Sequence, residues 1–527
     1  MAVLTQNTSK NKYGQYFTPE IVADFMVSLV SAGKEAHILE PSCGEGVFLR
    51  VLEARGFQHI TGYEIDQDLA QGFENVVYAS FVSASLPTCY DVVIGNPPYI
   101  RWSNLEQELK DELQQNTLWN TYFNSLCDYL YIFILKSIEV LKESGELIFI
   151  CPEYWLNTTH SLILRNYMVT NGYFEAIYHF NEAPIFDKVA SSTIIFKYIK
   201  SKGEKPTIQL KKYLSNKKIT NDILSKLAQN ELFDEAEYIE IPAFEKNSRW
   251  ILADAQTQEH LSAIEIKCHK IDNFSLFSAK QGYHTVGDFC DIGNGMVSGL
   301  DKAFQISMDN LNEKEVENTI RVIKAKHLQS YSHQDITPYI FVPDGLSKEY
   351  FRINFPYFHQ HLQAFRQDLE KRYQYNRAIQ YWEWVFLRNF ALFSQPTARI
   401  FVPCKERISH KQYFRFALVE AGIYPTQDVT AIFRKPHTKE HLYYILAYLN
   451  NKRVFNWLKY NGIVKGNIVE FSEKPLASIP FRAIDWQNEQ ETAWHDEIVT
   501  LVESYLLFPQ ENYLQAIHHI FDLLFAV

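Results

Sequence analysis

Residues 13–200 alternate between short apolar runs and longer amphipathic segments, and this alternation limits the possible folds more than any other feature. Four runs are interpreted as strands: His37–Glu40, Ile60–Glu64, Asp91–Ile94 and Glu146–Cys151. Three segments are typical of helices: Gly46–Arg55, Ser125–Lys142 and Asn157–Thr170. Strands that alternate with helices form mostly parallel sheets with helices on both faces. The sequence therefore predicts an α/β, Rossmann-like domain.

Two further apolar runs, Glu175–Phe180 and Ser192–Tyr198, are close in the chain and are expected to form a terminal antiparallel hairpin. A polar connector with Gly and Pro follows at 201–206. From about residue 245 the chain is aromatic and irregular, typical of a mixed α+β domain. We place the domain boundary between residues 200 and 270 and divide the chain into 1–245 and 246–527.

The composition excludes several classes of protein. With 527 residues, 46% of them hydrophobic, the chain has ample core for two to four domains. It contains no run of about 18 apolar residues, so we expect no membrane span. Its polar start, 1–12, lacks a signal core. Seven cysteines without a CxxC pair indicate reduced thiols in a cytoplasm and no structural zinc, and we expect no metal.

The charge is distributed unevenly. The net charge of −11 argues against a nucleic-acid partner at first sight. Residues 1–200 contain 13 basic and 23 acidic side chains, whereas 201–527 contain 38 and 39. Within the second part, residues 366–415 contain ten basic and four acidic side chains, interleaved with aromatic ones. This basic stretch is a candidate for phosphate contacts, or else a charged surface over an aromatic core.

The tetrapeptide Asn96-Pro97-Pro98-Tyr99 follows the buried strand run and should lie at the carboxyl end of that strand, where α/β folds bind ligands. Asn96 offers a side-chain carbonyl, and Pro97 has no N–H, so the turn is rich in acceptors. Tyr99 offers a flat ring. These groups suit an amino group on a planar ring, such as an unpaired adenine. The alternative is an ordinary surface turn.

A glycine loop follows the first strand. Residues 38–46 read ILEPSCGEG, in which glycines let the backbone approach a ligand. The spacing is neither GxGxxG nor a GK[ST] loop, which argues against a dinucleotide or a nucleoside triphosphate. Glu64 closes the next strand, where a carboxylate suits the two hydroxyls of a ribose. The alternatives are an ordinary βα turn and a surface carboxylate.

The segment YGQYFTPE at 13–20 precedes an amphipathic helix predicted at Ile21–Val30. Thr18 is expected to cap this helix, with Pro19 in its first turn.

In this order, the stretches YGQYFTPEIVADFMVSLV, ILEPSCGEGVFLRVL, GYEID, YDVVIGNPPYI and IFDKVASSTIIF resemble the gamma-type N6-adenine DNA methyltransferases. The resemblance covers most of residues 13–198. It implies S-adenosyl-L-methionine (AdoMet) as the cofactor and double-stranded DNA as the partner. It also implies a restriction–modification system, with a possible cognate restriction endonuclease. We expect a monomer.

The resemblance also implies roles for individual residues. Asn96 and the Pro97 carbonyl would accept hydrogen bonds from the adenine amino group. Pro98, Tyr99 and Phe186 would bind the base, with Tyr99 and Phe186 on its two faces. The cofactor-binding residues would be Thr18, Glu40, Cys43, Gly44, Gly46, Glu64, Ile65, Ser80, Phe81 and Asn96. Ser80 departs from the family, which usually has an acidic residue there for the cofactor adenine.

Acceptors at Asn96 and Pro97 suit methyl transfer to an amine, because they can stabilise the positive charge that develops on nitrogen. No cysteine nucleophile is needed, which excludes the C5-cytosine mechanism for this loop. The target nucleotide lies inside a duplex and must be flipped out.

The second domain resembles a target recognition domain. The stretches that carry this weaker resemblance are 293–304, 382–389 and 446–451, and Lys465-Gly466 is a further candidate for DNA contact. Two other functions stay open from the residues alone. One is a protein glutamine methyltransferase, which also uses an NPPY loop but is usually shorter. The other is a catalytically decayed DNA-binding specificity protein.

Overall fold

The computed structural model describes residues 16–70, 72–186, 192–269, 282–375, 377–408, 411–465 and 468–526. Parts of the predicted motifs lie outside these ranges: residues 13–15, 187–191 and Gly466. The chain forms two compact units, Met1–Gln258 and Glu259–Val527. The division lies further along the chain than residue 245 because Trp250 belongs to the first unit: its ring stacks on Phe244 at 4.5 Å and packs against Trp155.

The first unit is built on one nine-stranded sheet. Its strands are β1 (His37–Glu40), β2 (His59–Glu64), β3 (Val76–Tyr78), β4 (Tyr90–Gly95), β5 (Leu141–Pro152), β6 (Gly172–His179), β7 (Thr193–Lys200), β8 (Ile208–Tyr213) and β9 (Ala236–Ile241). Its helices are α1 (Glu20–Ser28), α2 (Val47–Ala54), α3 (Gln107–Gln115), α4 (Thr117–Tyr122), α5 (Leu130–Val140), α6 (Leu162–Asn171) and α7 (Asn221–Gln229). Helix α8 (Ala255–Lys267) spans the division between the units.

The strand order is β3-β2-β1-β4-β5-β7-β6-β8-β9. The first five strands in this order are parallel, and β7 is antiparallel to both of its neighbours. The Rossmann-like fold and the hairpin of β6 and β7 are therefore confirmed. The sheet continues beyond the hairpin with β8 and β9, two strands for which the sequence made no prediction.

Successive residues on the central strands face opposite layers of helices, as strand geometry requires. Ile38, Val92 and Ile94 pack in one apolar cluster with α1, α2 and α7. Leu39 and Val93 pack in another with α5 and α6. Because both faces are covered, the central strands are apolar throughout, and their carboxyl ends are free to form a site.

The second unit contains three smaller sheets, of strand orders β10-β17-β13-β15, β12-β11-β16 and β14-β19-β18. Its strands are β10 (Cys290–Asn294), β11 (Thr319–Ile323), β12 (Thr337–Ile340), β13 (Arg399–Pro403), β14 (Lys405–Arg407), β15 (Ala417–Val419), β16 (Ile423–Pro425), β17 (Val429–Arg434), β18 (Ile463–Lys465) and β19 (Ile468–Glu470).

Twelve helices of the second unit are described. They are α9 (Val286–Phe289), α10 (Asp301–Phe304), α11 (Glu313–Glu317), α12 (Lys348–Asn354), α13 (Pro356–Gln363), α14 (Arg366–Lys371), α15 (Phe390–Phe393), α16 (Leu442–Leu449), α17 (Lys452–Asn461), α18 (Glu473–Ala477), α19 (Glu489–Leu507) and α20 (Glu511–Ala526). The predicted mixed α+β character of this part is confirmed.

In the part of the chain that the structure describes, no helix has the length and apolar character needed to cross a membrane. The same residues contain no group of three or more His, Cys, Asp or Glu side chains that could hold a metal ion.

Candidate cofactor and base site

Strands β1 and β4 are neighbours in the sheet, but the chain runs from β1 outward to β2 and β3 before it returns to β4. Ligands bind at such a reversal, outside the carboxyl ends of the strands. An open cavity of about 690 Å³ lies there. It is lined by Tyr16, Phe17, Pro41, Ser42, Gly44, Glu64, Ile65, Ala79, Ser80, Phe81, Asn96, Pro97, Pro98, Tyr99, Leu109, Tyr129 and Phe133.

Many of the predicted site residues therefore line one cavity: Gly44, Glu64, Ile65, Ser80, Phe81, Asn96, Pro97, Pro98 and Tyr99. The other predicted residues lie behind or beside this lining: Thr18, Glu40, Cys43, Gly46 and Phe186.

The Asn96 side chain has its two amide atoms in different environments. Its Nδ2 donates hydrogen bonds to the Tyr16 carbonyl at 2.7 Å and to Thr18 Oγ1 at 3.2 Å. Its Oδ1 is buried and has no hydrogen-bond partner of normal geometry among the described residues. The two bonds fix the orientation of the amide, and Asn96 is one of the residues that line the cavity. A buried acceptor without a partner is costly unless a ligand supplies the donor.

The expectation that Thr18 caps the first helix was wrong. Helix α1 begins at Glu20, Pro19 is its N-cap, and no side chain caps it. The Thr18 hydroxyl accepts from Asn96 instead. Thr18 thus joins the segment before α1 to the loop after β4, and its contact with the site is through Asn96.

The Tyr99 ring lies against another aromatic ring. Tyr16 stacks on it with ring centroids 5.5 Å apart and planes 4° apart. The Tyr16 ring also contacts the buried Phe186 ring, at 6.2 Å and 51°. Burial raises the pKa of the Tyr99 hydroxyl, an effect that the nearby Asn96 side chain partly opposes. Tyr99 therefore stays neutral and offers a stacking face.

Glu64 is held by the backbone of the loops around it. Its Oε2 accepts from the Gly44 amide at 2.7 Å, and its Oε1 accepts from the Asp66 amide at 2.9 Å. Burial raises the pKa of Glu64, and these amide bonds oppose the rise. Each carboxylate oxygen can accept more than one hydrogen bond. Glu64 can therefore receive two hydroxyl donors while it stays bonded to the loops.

Glu40 is buried at the end of β1, with 1% of its surface exposed. Its Oε2 has no hydrogen-bond partner among the described residues. Burial, followed by repulsion from Glu64, raises the pKa of Glu40 well above its usual value. A buried carboxyl in this state is suited to a cationic ligand, which would lower its pKa again.

The glycine loop between β1 and α2 has one position close to the cavity and one with a packing role. Gly44 lines the cavity in the left-handed region, at φ +53°, with the Phe17 ring beside it. Gly46, at φ +76°, has the Phe73 ring so near that a Cβ would collide with it. The Cys43 thiol is buried, and burial raises its pKa. Cys43 and Gly46 therefore shape the loop from behind.

Ser80 lies in the cavity wall with Phe81 and Tyr129. Its Oγ is buried and lacks a hydrogen bond of normal geometry within the described residues. Burial raises the pKa of Tyr129, and the adjacent Ser80 side chain partly opposes this. This part of the cavity is thus neutral and apolar, with hydroxyl groups as its polar atoms.

Sequence reasoning missed several residues of the lining: Tyr16, Phe17, Pro41, Ser42, Ala79, Leu109, Tyr129 and Phe133. Tyr16 and Phe17 stand next to Thr18 in the segment that the sequence analysis singled out, and two adjacent aromatic residues there were a usable signal. Tyr129 and Phe133 are four residues apart around the start of α5. That spacing is equally typical of core residues, so no signal separated them from the core.

Comparison with known proteins bears on this site. Residues 51–186 match the Eco57I restriction-modification methylase family, and residues 1–60 match the N-6 DNA methylase family. The chain is 46% identical over 503 residues to the Type II methyltransferase M.HindII of Haemophilus influenzae strain Rd, with 95% of each chain covered. The chain belongs to the Type II DNA methyltransferases. M.HincII of Haemophilus influenzae is 44% identical, also over 503 residues and 95% of each chain.

The fold agrees with this assignment. A structure of the Type IIL restriction-modification enzyme MmeI in complex with DNA aligns with a TM-score of 0.58 and 12% identity, covering 96% of this chain and 71% of that one. At this identity the likeness shows the fold alone. The family matches and the two relatives confirm the resemblance to the N6-adenine DNA methyltransferases and support DNA as the partner.

AdoMet is the cofactor of this DNA methyltransferase, and the cavity fits it. Its sulfonium and amino groups are cations, and Glu40 is a buried carboxyl with an unpartnered oxygen. Its ribose carries two hydroxyl donors, and Glu64 has acceptor capacity left beside its bonds to the backbone of Gly44 and Asp66.

Proposed function

We propose that the protein transfers a methyl group to N6 of an adenine that is flipped out of double-stranded DNA, at one short recognition sequence. The proposal depends on the hydrogen bonding of the Asn96 amide. Its Nδ2 is bonded to Tyr16 and Thr18, and its buried Oδ1 has no partner of normal geometry among the described residues. An exocyclic amino group supplies the donor that this acceptor needs.

In this proposal the amino group of adenine donates to Asn96 Oδ1 and to the Pro97 carbonyl. Two acceptors draw the nitrogen lone pair out of conjugation with the ring and stabilise the positive charge that develops during transfer. The Tyr99 ring stacks on one face of the base and Phe186 covers the other, with Pro98 beside them. Stacking compensates for the base pair that extrusion breaks.

Glu40 would pair with the cationic methionine end of the cofactor, and Glu64 would accept from its ribose. Thr18 acts through Asn96, whereas Gly44, Gly46 and Cys43 form the loop. Ile65, Ser80 and Phe81 line the side of the cavity that we assign to the cofactor adenine.

AdoMet supplies an electrophilic methyl group on a sulfonium sulfur. Because no proton has to be removed beforehand, the alignment of the amine dominates the rate.

We further infer that the enzyme is the modification part of a restriction–modification system, with a cognate endonuclease that cuts the same site. Its relatives are Type II methyltransferases, which supports this assignment. We propose that it acts as a monomer on chromosomal DNA in a prokaryotic cytoplasm. We also propose that the first unit, predicted as 1–245, is catalytic and that the second unit, predicted as 246–527, recognises the target sequence.

The direct test is to incubate the protein with AdoMet and unmethylated genomic DNA and to map N6-methyladenine by single-molecule sequencing. We expect methylation confined to one short motif. Methylation at a cytosine would contradict the proposed base. Absence of any mark in DNA, with AdoMet binding confirmed by calorimetry, would contradict the proposed reaction.

A further inference from the structure

Tyr16 makes the contacts that the proposed function assigns to the extruded base. Its ring is parallel to the Tyr99 ring within 4°, with centroids 5.5 Å apart, as in offset stacking. The same ring contacts Phe186 at 6.2 Å. Tyr99 and Phe186 are the two rings proposed to hold the adenine, so one aromatic side chain of the protein already contacts both of them.

The backbone of Tyr16 is anchored at this place. Its carbonyl accepts from Asn96 Nδ2 at 2.7 Å, and Thr18 accepts from the same nitrogen. The next residue, Phe17, lies beside Gly44 on the wall of the cavity. These contacts hold the backbone at 16–18. A change in the side-chain torsions of Tyr16 moves its ring without moving this backbone.

A base and the Tyr16 ring cannot use the same face of Tyr99. Stacked rings lie about 4.5 to 7 Å apart between centroids, and Tyr16 is already within that distance. Insertion of the adenine on this face therefore requires the Tyr16 ring to move, while Asn96 can keep its bond to the Tyr16 carbonyl.

We propose that Tyr16 is a further residue of the base-binding site, whose ring holds the place of the target base in the DNA-free protein and leaves it when the base is extruded. This inference depends on the proposed function, because it takes the Tyr99 face as the base site. The exchange keeps Tyr99 covered at all times. The base and the Tyr16 ring therefore compete for the same face of Tyr99, and the base must displace a ring that is already stacked there.

The first experiment uses duplexes that carry 2-aminopurine in place of the target adenine, at the recognition sequence mapped for the wild type. Fluorescence reports how much of the base is unstacked from the duplex. We expect Tyr16→Ala to raise the extrusion equilibrium about two- to tenfold, the range set by one aromatic pair. Tyr16→Phe keeps the ring and should raise the extrusion equilibrium less than Tyr16→Ala does.

Tyr173→Ala serves as a matched control. It removes a half-buried tyrosine of the same unit, at the amino end of β6 and outside the cavity lining. An unchanged or lowered extrusion equilibrium in Tyr16→Ala would overturn the inference. A wild type that methylates DNA but never extrudes the base, or that does not act on adenine, would instead overturn the proposed function.

A second experiment does not depend on the alanine variant. A single 4-fluorophenylalanine at position 16 is followed by ¹⁹F NMR in the full-length protein with AdoMet. We expect its resonance to shift on addition of the cognate duplex. A duplex with an abasic site at the target position should leave the resonance as in the free protein, because no base competes for Tyr99. Equal shifts with both duplexes would overturn the exchange.

Discussion

Asn96 combines a fixed orientation with an unused acceptor, and both properties bear on catalysis. The amide cannot exchange the positions of its oxygen and nitrogen without losing its hydrogen bonds to Tyr16 and Thr18. The buried Oδ1 therefore keeps its position whether or not a substrate is bound. An acceptor held in advance stabilises developing charge without any reorganisation at the moment of transfer.

We predict that Asn96→Ala lowers the rate of methyl transfer about 10²- to 10³-fold, as expected for the loss of one prepositioned polar group. AdoMet binding should be retained, because Glu40 and Glu64 remain. The measurement is transfer of labelled methyl groups to DNA, with AdoMet affinity measured by calorimetry.

Asn171→Ala is the matched control for this variant. Asn171 ends helix α6 and donates to the carbonyl of Tyr167 in the same helix. Its loss should leave the transfer rate unchanged. Full activity in Asn96→Ala would remove Asn96 from the catalytic residues.

Glu40 is a group whose protonation links stability to ligand binding. Its pKa is raised by burial and by Glu64, and Arg50 opposes the rise. The folded protein thus favours the protonated form more than the unfolded chain does. It follows that the stability from Glu40 is complete below pH 4.5, its usual pKa, and is lost as the pH rises through the raised pKa.

We predict that Glu40→Gln stabilises the AdoMet-free protein near pH 8 by about 1 to 3 kcal/mol, because it replaces a buried charge by a neutral group of the same shape. The gain in stability should be smaller at pH 5.

The same variant should bind AdoMet about tenfold or more weakly, since a charge-assisted contact is lost. Thermal unfolding at both pH values and calorimetry measure the two effects. A variant that is less stable than the wild type at pH 8 would contradict this account.

At the scale of secondary-structure elements, the hydrogen bonds of one histidine connect the segments at the ends of β5, β6 and β7. His179, at the end of β6, lies 2.5 Å from Glu153 after β5 and 3.3 Å from Ser192 before β7, all through Nε2. Burial would raise the pKa of Glu153, but the charge and hydrogen bond of His179, the hydrogen bond of Ser192 and the charge of Lys212 together lower it. Phe186 follows β6 by seven residues, so this contact fixes the point from which its segment departs.

We predict that His179→Ala lowers the free energy of unfolding by about 1 to 3 kcal/mol at pH 5, because it removes the main attraction on a partly buried carboxylate. A lowered pKa means that the stability from Glu153 is present above its usual pKa of 4.5 and is lost as the pH falls through the lowered value. The variant should therefore differ less from the wild type in acid. Urea unfolding at pH 5 and at pH 3 tests this, and a difference that grows from pH 5 to pH 3 would contradict it.

Elements of the first unit could be predicted because their signals are local. The strand runs and the NPPY turn identified β1, β4 and the cavity between them, since a buried parallel strand is an apolar run of consecutive residues. The second unit offered no such signal. Its strands are three to six residues long, and β11 pairs with β16, about 100 residues further along the chain. Local patterns do not encode pairing at that distance.

Prediction from the sequence has the same limit for the individual residues of the cavity. Sequence patterns located Asn96 and Glu64 at the ends of recognisable strands, whereas Glu40 was assigned through the family resemblance. They missed Tyr16, whose role depends on a ring contact with Tyr99 across about 80 residues of chain. Contacts between segments, not residue types, decide that part of the site.

At the scale of the whole molecule, fewer basic side chains are available to contact DNA than the sequence suggests. Of the ten basic residues at 366–415, Arg372 and Arg399 are buried and donate to backbone carbonyls. Arg415 and Lys411 pair with the buried Glu406. These four side chains support the fold of the second unit. The count of basic residues in the sequence therefore overstated the surface that can neutralise phosphates.

Lys371 and Lys405 are exposed members of the same stretch. We predict that Lys371→Gln and Lys405→Gln each weaken DNA binding moderately and to the same extent on cognate and non-cognate duplexes. Each should reduce the slope of log affinity against log salt by about 1, the effect of one lost phosphate contact. Fluorescence anisotropy titrations from low to moderate salt measure this.

Lys218→Gln is the control, because Lys218 is an equally exposed lysine of the first unit, outside the basic stretch. It should leave the salt slope unchanged, which separates a local phosphate contact from the effect of net charge. Since the whole chain carries a net charge of −11, general attraction to DNA is weak and local contacts must supply the affinity. An affinity of the wild type that does not change with salt would exclude the basic stretch as a DNA surface.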